Sequence, residues 1–152
     1  MELLKNTNRI SDFAEVEVDV DTIAKALGVS AEEYVESVTG TTLSGISEQW
    51  VANKLNAKRI LGEQLKWDVV AFHRLRKKIE VRNICLTAEI SFAPSTARGK
   101  GRFFEVSTFL DKLESIDSYV FVDLRDRLRT NPKLYEISSD EVLELYRSGV
   151  LN

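Results

Sequence analysis

Asp68, Glu80 and Arg82 are the side chains of this sequence best spaced to do chemistry together. Asp68 stands near the head of Trp67-Asp68-Val69-Val70-Ala71-Phe72, and Glu80 and Arg82 lie in Lys78-Ile79-Glu80-Val81-Arg82, with a short basic turn between the two runs. Both runs read as strands of one hairpin. Strand side chains alternate, so Glu80 and Arg82 share a face. If the register pairs even positions with even, Asp68 lies opposite or diagonal to Glu80, about 5 to 8 Å away. A divalent cation fits such a gap. A register shifted by one residue would send Asp68 to the other side of the sheet, and alternating charges on an antiparallel strand are otherwise a solvated surface.

The elements that must position these residues come from a chain of 152 residues, 43% hydrophobic and 30% charged. That length suits one domain, residues 1–152, with a helical N-terminal part over residues 1–45 and a core over residues 46–152. No apolar run approaches the roughly 20 residues of a membrane span, so no membrane partner is expected. The first residues, Met1-Glu2-Leu3-Leu4-Lys5-Asn6, lack the pattern of a secretory signal, which makes a cytoplasmic location the expectation. Cys85 is the only cysteine and His73 the only histidine. This excludes an intrachain disulfide and a multi-thiolate zinc site within one chain. Cys85 sits in an apolar strand pattern that suits a small buried thiol, and no spacing suggests a Ser-His-Asp or Cys-His arrangement around His73.

Net charge is -3, but the charges are sorted along the chain. Residues 1–53 carry three Lys/Arg against ten Asp/Glu, residues 54–102 twelve against four, and residues 103–152 six against ten. Asp68 and Glu80 therefore lie in the basic third. An acidic protein can bind nucleic acid through one basic face, because phosphate responds to the local field.

Thr22-Ile23-Ala24-Lys25-Ala26-Leu27 predicts a helix stopped by Gly28, and Ser30-Ala31-Glu32-Glu33 has capping-box spacing for a second through Val35 and Val38. The wording around Gly28 is similar to the turn of bacterial helix-turn-helix repressors. The would-be recognition helix carries Glu32, Glu33 and Glu36 and no cation, so a structural helical hairpin is expected instead. Residues 40–45, rich in Thr, Ser and Gly, read as a loop. A helix is expected over residues 46–61 with Trp50, Val51, Leu55 and Ile60 inward and Gly62 as its stop. Strands follow over residues 67–72 and 78–86, with a short extended piece near residues 90–92 and an open loop from Pro94 to Gly101. Ser107 can cap a helix bearing Phe109, Leu110, Leu113 and Ile116. Residues 119–124 form a nearly continuous apolar strand suited to the centre of a sheet, and residues 134–137 a weaker strand. Ser138-Ser139-Asp140-Glu141 opens a last helix that ends at Gly149.

This order, with Asp68 and Glu80-Val81-Arg82, resembles the PD-(D/E)xK nuclease superfamily. The resemblance implies an α/β (α+β) fold of restriction-endonuclease-like type, with a mixed central sheet flanked by helices and here a helical N-terminal extension. It implies a Mg²⁺- or Mn²⁺-dependent endonuclease acting on DNA. Asp68 and Glu80 would ligate metal, Glu48 on the preceding helix would assist, and Arg82 would take the motif's last place. The chain departs from the pattern in two places: Lys66-Trp67 replaces the Pro before the Asp, and Arg82 replaces the Lys. A guanidinium stays protonated in proteins, so Arg82 cannot act as a general base, although it can neutralise a phosphate. A noncatalytic DNA-binding module that retains the nuclease fold is therefore a second expectation. A protein-interaction adaptor using the acidic N-terminal hairpin is a third.

The candidate phosphate contacts are Arg74, Arg76, Lys77 and Lys78 in the basic turn and Arg98, Lys100 and Arg102 in Pro94-Ser95-Thr96-Ala97-Arg98-Gly99-Lys100-Gly101-Arg102. Glycines allow close backbone approach to phosphate, and hydroxyls and amides can donate to it. A flexible solvated loop has the same composition. The spacing is not that of a Walker A loop. Cleavage of both strands by so short a chain would call for a two-fold homodimer.

Overall fold

The computed structural model describes residues 11–61, 67–71, 77–86, 92 and 105–150, and the side chains of these except Ser11 and Asp12. Among them are six strands and five helices. In chain order these are β1 (Ser11–Glu15), α1 (Val20–Leu27), α2 (Ala31–Ser37), α3 (Gly40–Lys54), β2 (Lys58–Arg59), β3 (Val69–Ala71), β4 (Lys77–Ile84), α4 (Val106–Ser115), β5 (Ser118–Asp123), β6 (Lys133–Ser138) and α5 (Ser139–Arg147).

The strands form one sheet in the order β1-β6-β5-β4-β3-β2. Its pairs are antiparallel except β4 with β5, which run parallel. A parallel neighbour cannot be reached by a tight turn, and the crossover here carries α4. The fold is thus mixed α and β, with a mixed sheet, as the element pattern predicts.

Alternation along the central strand separates two cores. Val120 and Val122 join Ile79, Val69 and Leu134 and meet Leu43, Val51 and Ala52 of α3. Tyr119 and Phe121 point the other way, joining Ile84 and Ile137 against Phe109 and Leu113 of α4 and Val142 and Leu145 of α5. β5 is buried along nearly its whole length, which its apolar run requires once helices cover both faces. β4 divides by parity. Ile79 and Val81 face the α3 side, and Ile84 faces the α4/α5 side, so Glu80 and Arg82 lie beneath α4.

Three expectations change. The N-terminal part is not helical throughout, because Ser11–Glu15 adds an edge strand to β6. Residues 40–45 are not a loop but the first turns of α3, opened by Thr39: its Oγ1 accepts the Thr42 N–H at 3.1 Å and Thr42 Oγ1 accepts the Thr39 N–H at 2.9 Å. That helix stops at Lys54, not near residue 61, because Asn56 turns left-handed at φ 48 and Ala57 donates its N–H back to the Ala52 carbonyl at 2.8 Å. The chain so released supplies β2, which the sequence pattern does not announce.

The capping box predicted at Ser30 forms, with Glu33 N–H to Ser30 Oγ at 3.1 Å and Ser30 N–H to Glu33 Oε2 at 2.7 Å. Ser138 caps the last helix by accepting the Glu141 N–H at 3.2 Å. The crossover helix begins two residues earlier than a Ser107 cap would set it, with Glu105 at the cap position. Most of the extended piece near residues 90–92 and the Pro94 to Gly101 segment lies outside the described residues.

Candidate active site

The hairpin register pairs Val69 with Ile79, Val70 with Lys78 and Ala71 with Lys77. Val70 opposite Lys78 shows that even positions pair with even, and the regular ladder ends at Val69 and Ile79, just before Asp68 and Glu80. β3 has ended by this point, and the Asp68 side chain takes over the ladder's work: Oδ2 accepts the Val81 N–H at 2.8 Å, while the Asp68 N–H donates to the Ile79 carbonyl at 2.9 Å. The Asp68 carboxylate is thus held by the sheet backbone.

Neither Glu80 nor Arg82 belongs to a solvated surface, since they are only 8% and 9% exposed. Their charges must therefore be compensated inside the protein. Glu80 Oε2 meets Lys112 Nζ of α4 at 2.6 Å, and Oε1 lies 3.1 Å from Arg82 Nη2. The second approach is off line for a hydrogen bond, so Arg82 Nε and Nη2 are buried with no hydrogen-bond partner among the described residues. Behind the pair stands an aromatic wall of Phe92, Tyr119 and Phe121, with Phe92 edge-on to both others at 5.1 and 5.5 Å. The Tyr119 hydroxyl donates to the Phe92 carbonyl at 3.3 Å. Burial pushes that phenol well above its ordinary range, opposed by the nearby Arg82 charge.

Burial is also the main reason that the Asp68 carboxyl is pushed up from 3.8 to about 7, and the negative charge of Glu80 is the next. The Val81 hydrogen bond and the Lys112 charge pull it back, and Glu48 pushes it further up. Asp68, Glu80, Glu48 and Lys112 thus act within one electrostatic neighbourhood. At neutral pH Asp68 is poised between its protonated and ionised forms.

Glu48 enters from α3, on the other side of the hairpin. Its Oε2 accepts from Arg59 Nε of β2 at 2.7 Å. Gly45 lies one turn earlier on α3, and a Cβ there would come within 2.8 Å of Arg59 Nη2. The missing side chain gives the guanidinium its place. Sequence reasoning missed Arg59 because β2 was unseen. It missed Lys112 for want of attention to a visible signal: Phe109, Lys112, Leu113 and Ile116 follow the i, i+3, i+4, i+7 spacing of an inward stripe, and a lysine on such a stripe requires a buried acid.

Of the candidate phosphate contacts, Arg74, Arg76, Arg98, Lys100 and Arg102 lie outside the described residues. Lys77 forms an ion pair with Glu136, whose Oε1 also accepts from Ser118 Oγ at 2.9 Å. Lys78 Nζ sits 4.4 Å from the centre of the Trp67 ring. The acids of the helical hairpin are engaged internally: Glu36 pairs with Arg127 and, at 2.8 Å, with Arg129, and Glu32 with Arg129 at 2.9 Å. These arginines belong to the β5–β6 turn, so α2 anchors that turn. A polar hollow of about 460 Å³ opens beside it, lined by Asp123, Arg125, Asp126, Thr130, Asn131, Lys133 and Tyr135.

Among the described residues no three His, Cys, Asp or Glu side chains form a ready metal cage. The donor chemistry at Asp68 and Glu80 nevertheless suits Mg²⁺, which is commonly held by one or two carboxylates, with water and substrate phosphate oxygens completing the shell. Comparison with protein-family models, with curated proteins and with solved structures yields no match for this chain. No helix among the described residues is long and apolar enough to cross a membrane.

Proposed function

We propose that this protein is a metal-dependent endonuclease of restriction-endonuclease-like fold that hydrolyses phosphodiester bonds in DNA. The observation that carries the reading is the nearness of a half-buried Asp68 to the buried Glu80, whose negative charge, after burial, raises the Asp68 carboxyl to about 7. Two acids held that close in a poorly solvated place repel each other, and strained carboxylate pairs concentrate where a cation or a proton is to be handled. The order of parts also accords with the resemblance: a helix bearing an acid, a hairpin bearing Asp and Glu-x-Arg, a helix, and a strand parallel to the hairpin's second strand.

In this reading Asp68 and Glu80 hold Mg²⁺ or Mn²⁺, which supplies Lewis acidity and lowers the pKa of water. Arg82 offers to the charge that builds on the phosphate in the transition state those donors that have no hydrogen-bond partner among the described residues. Glu48, oriented by Arg59, borders the site from the α3 side and assists there. Lys78 and the cations of the basic turn and of the segment around Gly99 would grip the backbone. The setting proposed is cytoplasmic, and cutting both strands would use a homodimer.

Purified protein with Mg²⁺ or Mn²⁺ is expected to nick or cut DNA. Asp68→Ala and Glu80→Ala are expected to abolish cleavage, with circular dichroism showing that the chain still folds. Activity that survives both substitutions excludes the assignment.

One observation favours a second reading. Glu80 is already matched by Lys112 and Arg82, as in a structural ion cluster. A DNA-binding module that has lost its chemistry would bind DNA in a salt-dependent way and show no metal-dependent cleavage.

A further inference from the structure

We infer that the polar hollow beside the β5–β6 turn is a binding site for a small phosphorylated molecule of nucleotide size. The inference does not rest on the nuclease reading. The hollow opens at the carboxyl end of β5, where Asp123 is the last residue of the strand. Ligands of open α/β sheets gather at the carboxyl ends of strands. The β4–β5 register sets Asp123 opposite Ile84, four residues along the strand from Glu80, which is about 13 Å at ordinary strand rise. The two places are therefore distinct. A volume of about 460 Å³ lies within the range of small-molecule sites and leaves room beyond a lone phosphate.

The lining favours an anion. Asn131 spends its Oδ1 on the Val18 N–H at 3.1 Å, so what it has left to offer is its Nδ2 donors. Arg125 gives Nε and Nη2 to the two oxygens of Asp123, at 2.8 and 2.5 Å, and a guanidinium has five N–H donors in all. Thr130 adds a hydroxyl and Lys133 a positive charge, while half-buried Tyr135 adds ring surface on which a base can lie. Asp123 is already matched: burial pushes its carboxyl up, but the Arg125 hydrogen bonds and the Lys133 charge hold it below its usual range. Asp126 is the group that opposes an anion. It is exposed, and its carboxylate has no partner among the described residues.

The turn that carries these groups is strained. The Asp126 carbonyl accepts the Arg129 N–H at 3.0 Å, and the two residues between them, Arg127 and Leu128, are left-handed at φ 50 and 64. Such a turn ordinarily takes Asn, Asp or Gly at those positions. Here Leu128, 4% exposed, is locked into the α3-side core, and Glu36 and Glu32 hold Arg127 and Arg129. Strained backbone that its surroundings over-determine in this way collects at ligand clamps. It fixes where Arg125, ahead of the turn, and Thr130 and Asn131, behind it, meet at the hollow.

The test uses the full chain in EDTA, with inorganic phosphate, adenosine monophosphate and adenosine as probes, read by calorimetry and by the NMR shifts of the Thr130 and Asn131 amides. The monophosphate should move both amides and saturate below about 5 mM, with adenosine at least about 10-fold weaker for want of the charged group. Asn131→Asp keeps the acceptor for Val18 but replaces the donors by a like charge, and should weaken the monophosphate at least about 10-fold. Asp126→Asn removes the opposing charge and should tighten it by about 2- to 5-fold. A misfolded variant cannot bind more tightly, so the pair of signs reads the site itself. Binding of neither phosphate nor the monophosphate overturns the inference. So does tightening by Asn131→Asp with weakening by Asp126→Asn, which are the signs of a cation site. Phosphate bound as tightly as the monophosphate overturns the larger ligand, and amide shifts produced by a DNA duplex but not by the monophosphate overturn a small one. Each of these outcomes leaves the nuclease reading to its own cleavage test.

Discussion

Asp68 Oδ2 accepts the Val81 N–H at 2.8 Å, in the position where the next carbonyl of a longer β3 would stand. A carboxyl thus does the work of a peptide oxygen inside a sheet, with the Glu80 charge nearby. The peptide oxygen is always neutral, whereas burial and the Glu80 charge press this carboxyl toward its protonated form.

This fixes a pH dependence. Asp68 is raised from 3.8 to about 7 in the fold, so between those pH values the folded chain holds a proton that the unfolded chain has lost. The unfolded state binds fewer protons there, and unfolding free energy falls as pH rises. The contribution is complete below about pH 4 and is gone above about pH 7, and its span is at most ~4 kcal/mol. Asp68→Asn keeps an acceptor for Val81 without the charge. In EDTA, urea denaturation at several pH values should show the variant gaining on the parent steadily from pH 4 to pH 7. Parallel curves would show that Asp68 does not carry the shift.

Removing Glu80 is predicted to destabilise the fold. Glu80 compensates two largely buried cations, Lys112 and Arg82, and its loss strands both. Breaking a buried pair by removing one partner costs about 3 to 5 kcal/mol, so Glu80→Ala should unfold at lower denaturant than the parent while remaining folded in its absence. Glu80→Gln retains the packing and one acceptor and should lose less. The triple change Glu80→Leu, Arg82→Met, Lys112→Met removes all the charges together and should recover most of the stability while abolishing any activity. Equilibrium denaturation of the three proteins decides it; a Glu80→Ala protein as stable as the parent would mean that these charges are solvated.

The hairpin and its acids were legible in the sequence because period two and apolar content agree over Val69, Val70, Ala71 and again over Ile79 and Val81. β5 was legible for the same reason. The first turns of α3 were not, because Gly40, Thr41, Thr42 and Gly45 read locally as breakers. Their glycines answer to tertiary neighbours instead: a Cβ on Gly40 would stand 2.6 Å from Cys85 Sγ, and one on Gly45 2.8 Å from Arg59 Nη2. Neither neighbour is close in sequence, so no window of residues around the glycines could reveal them. Lys112 was hidden differently. Its spacing was visible, but its partner Glu80 is separated from it by a crossover, and only the parallel β4–β5 pairing brings α4 over that strand.

The two glycines should therefore respond differently to alanine. At Gly45 the obstructing atom is the far end of a flexible arginine, which can swing aside, and Ala is a better helix former than Gly by about 1 kcal/mol. Gly45→Ala should raise stability by up to that amount while disturbing the Glu48–Arg59 pair. At Gly40 the obstruction is a short thiol beside Asn83, whose Nδ2 donates to the Gly40 carbonyl at 2.9 Å. Gly40→Ala should destabilise by about 1 to 3 kcal/mol, the usual range for overpacking. Thermal melts of both variants check the contrast, and equal melting temperatures would refute it.

Lys77 and Lys78 are neighbours in sequence, yet the structure gives them different electrostatic standing, and DNA binding should tell them apart. The charge of Lys77 is cancelled by Glu136, half-buried between β4, β5 and β6. Lys78 rests on the Trp67 ring, and a cation over a ring keeps its full charge because the ring carries none. Counterion release depends on cations that neutralise phosphates, at a slope of about 0.9 in log K against log salt for each contact on duplex DNA. Lys78→Gln should lower that slope by up to about 0.9 with little change in stability. Lys77→Gln should leave the slope within about 0.3 of the parent, yet destabilise the fold by ~1 kcal/mol, because Glu136 then keeps Ser118 but loses its cation. Fluorescence anisotropy with a labelled duplex, from about 50 to 200 mM salt, reads the slopes. A slope lost at Lys77 and kept at Lys78 would mean that DNA displaces Glu136 and enters from the β6 side of the sheet.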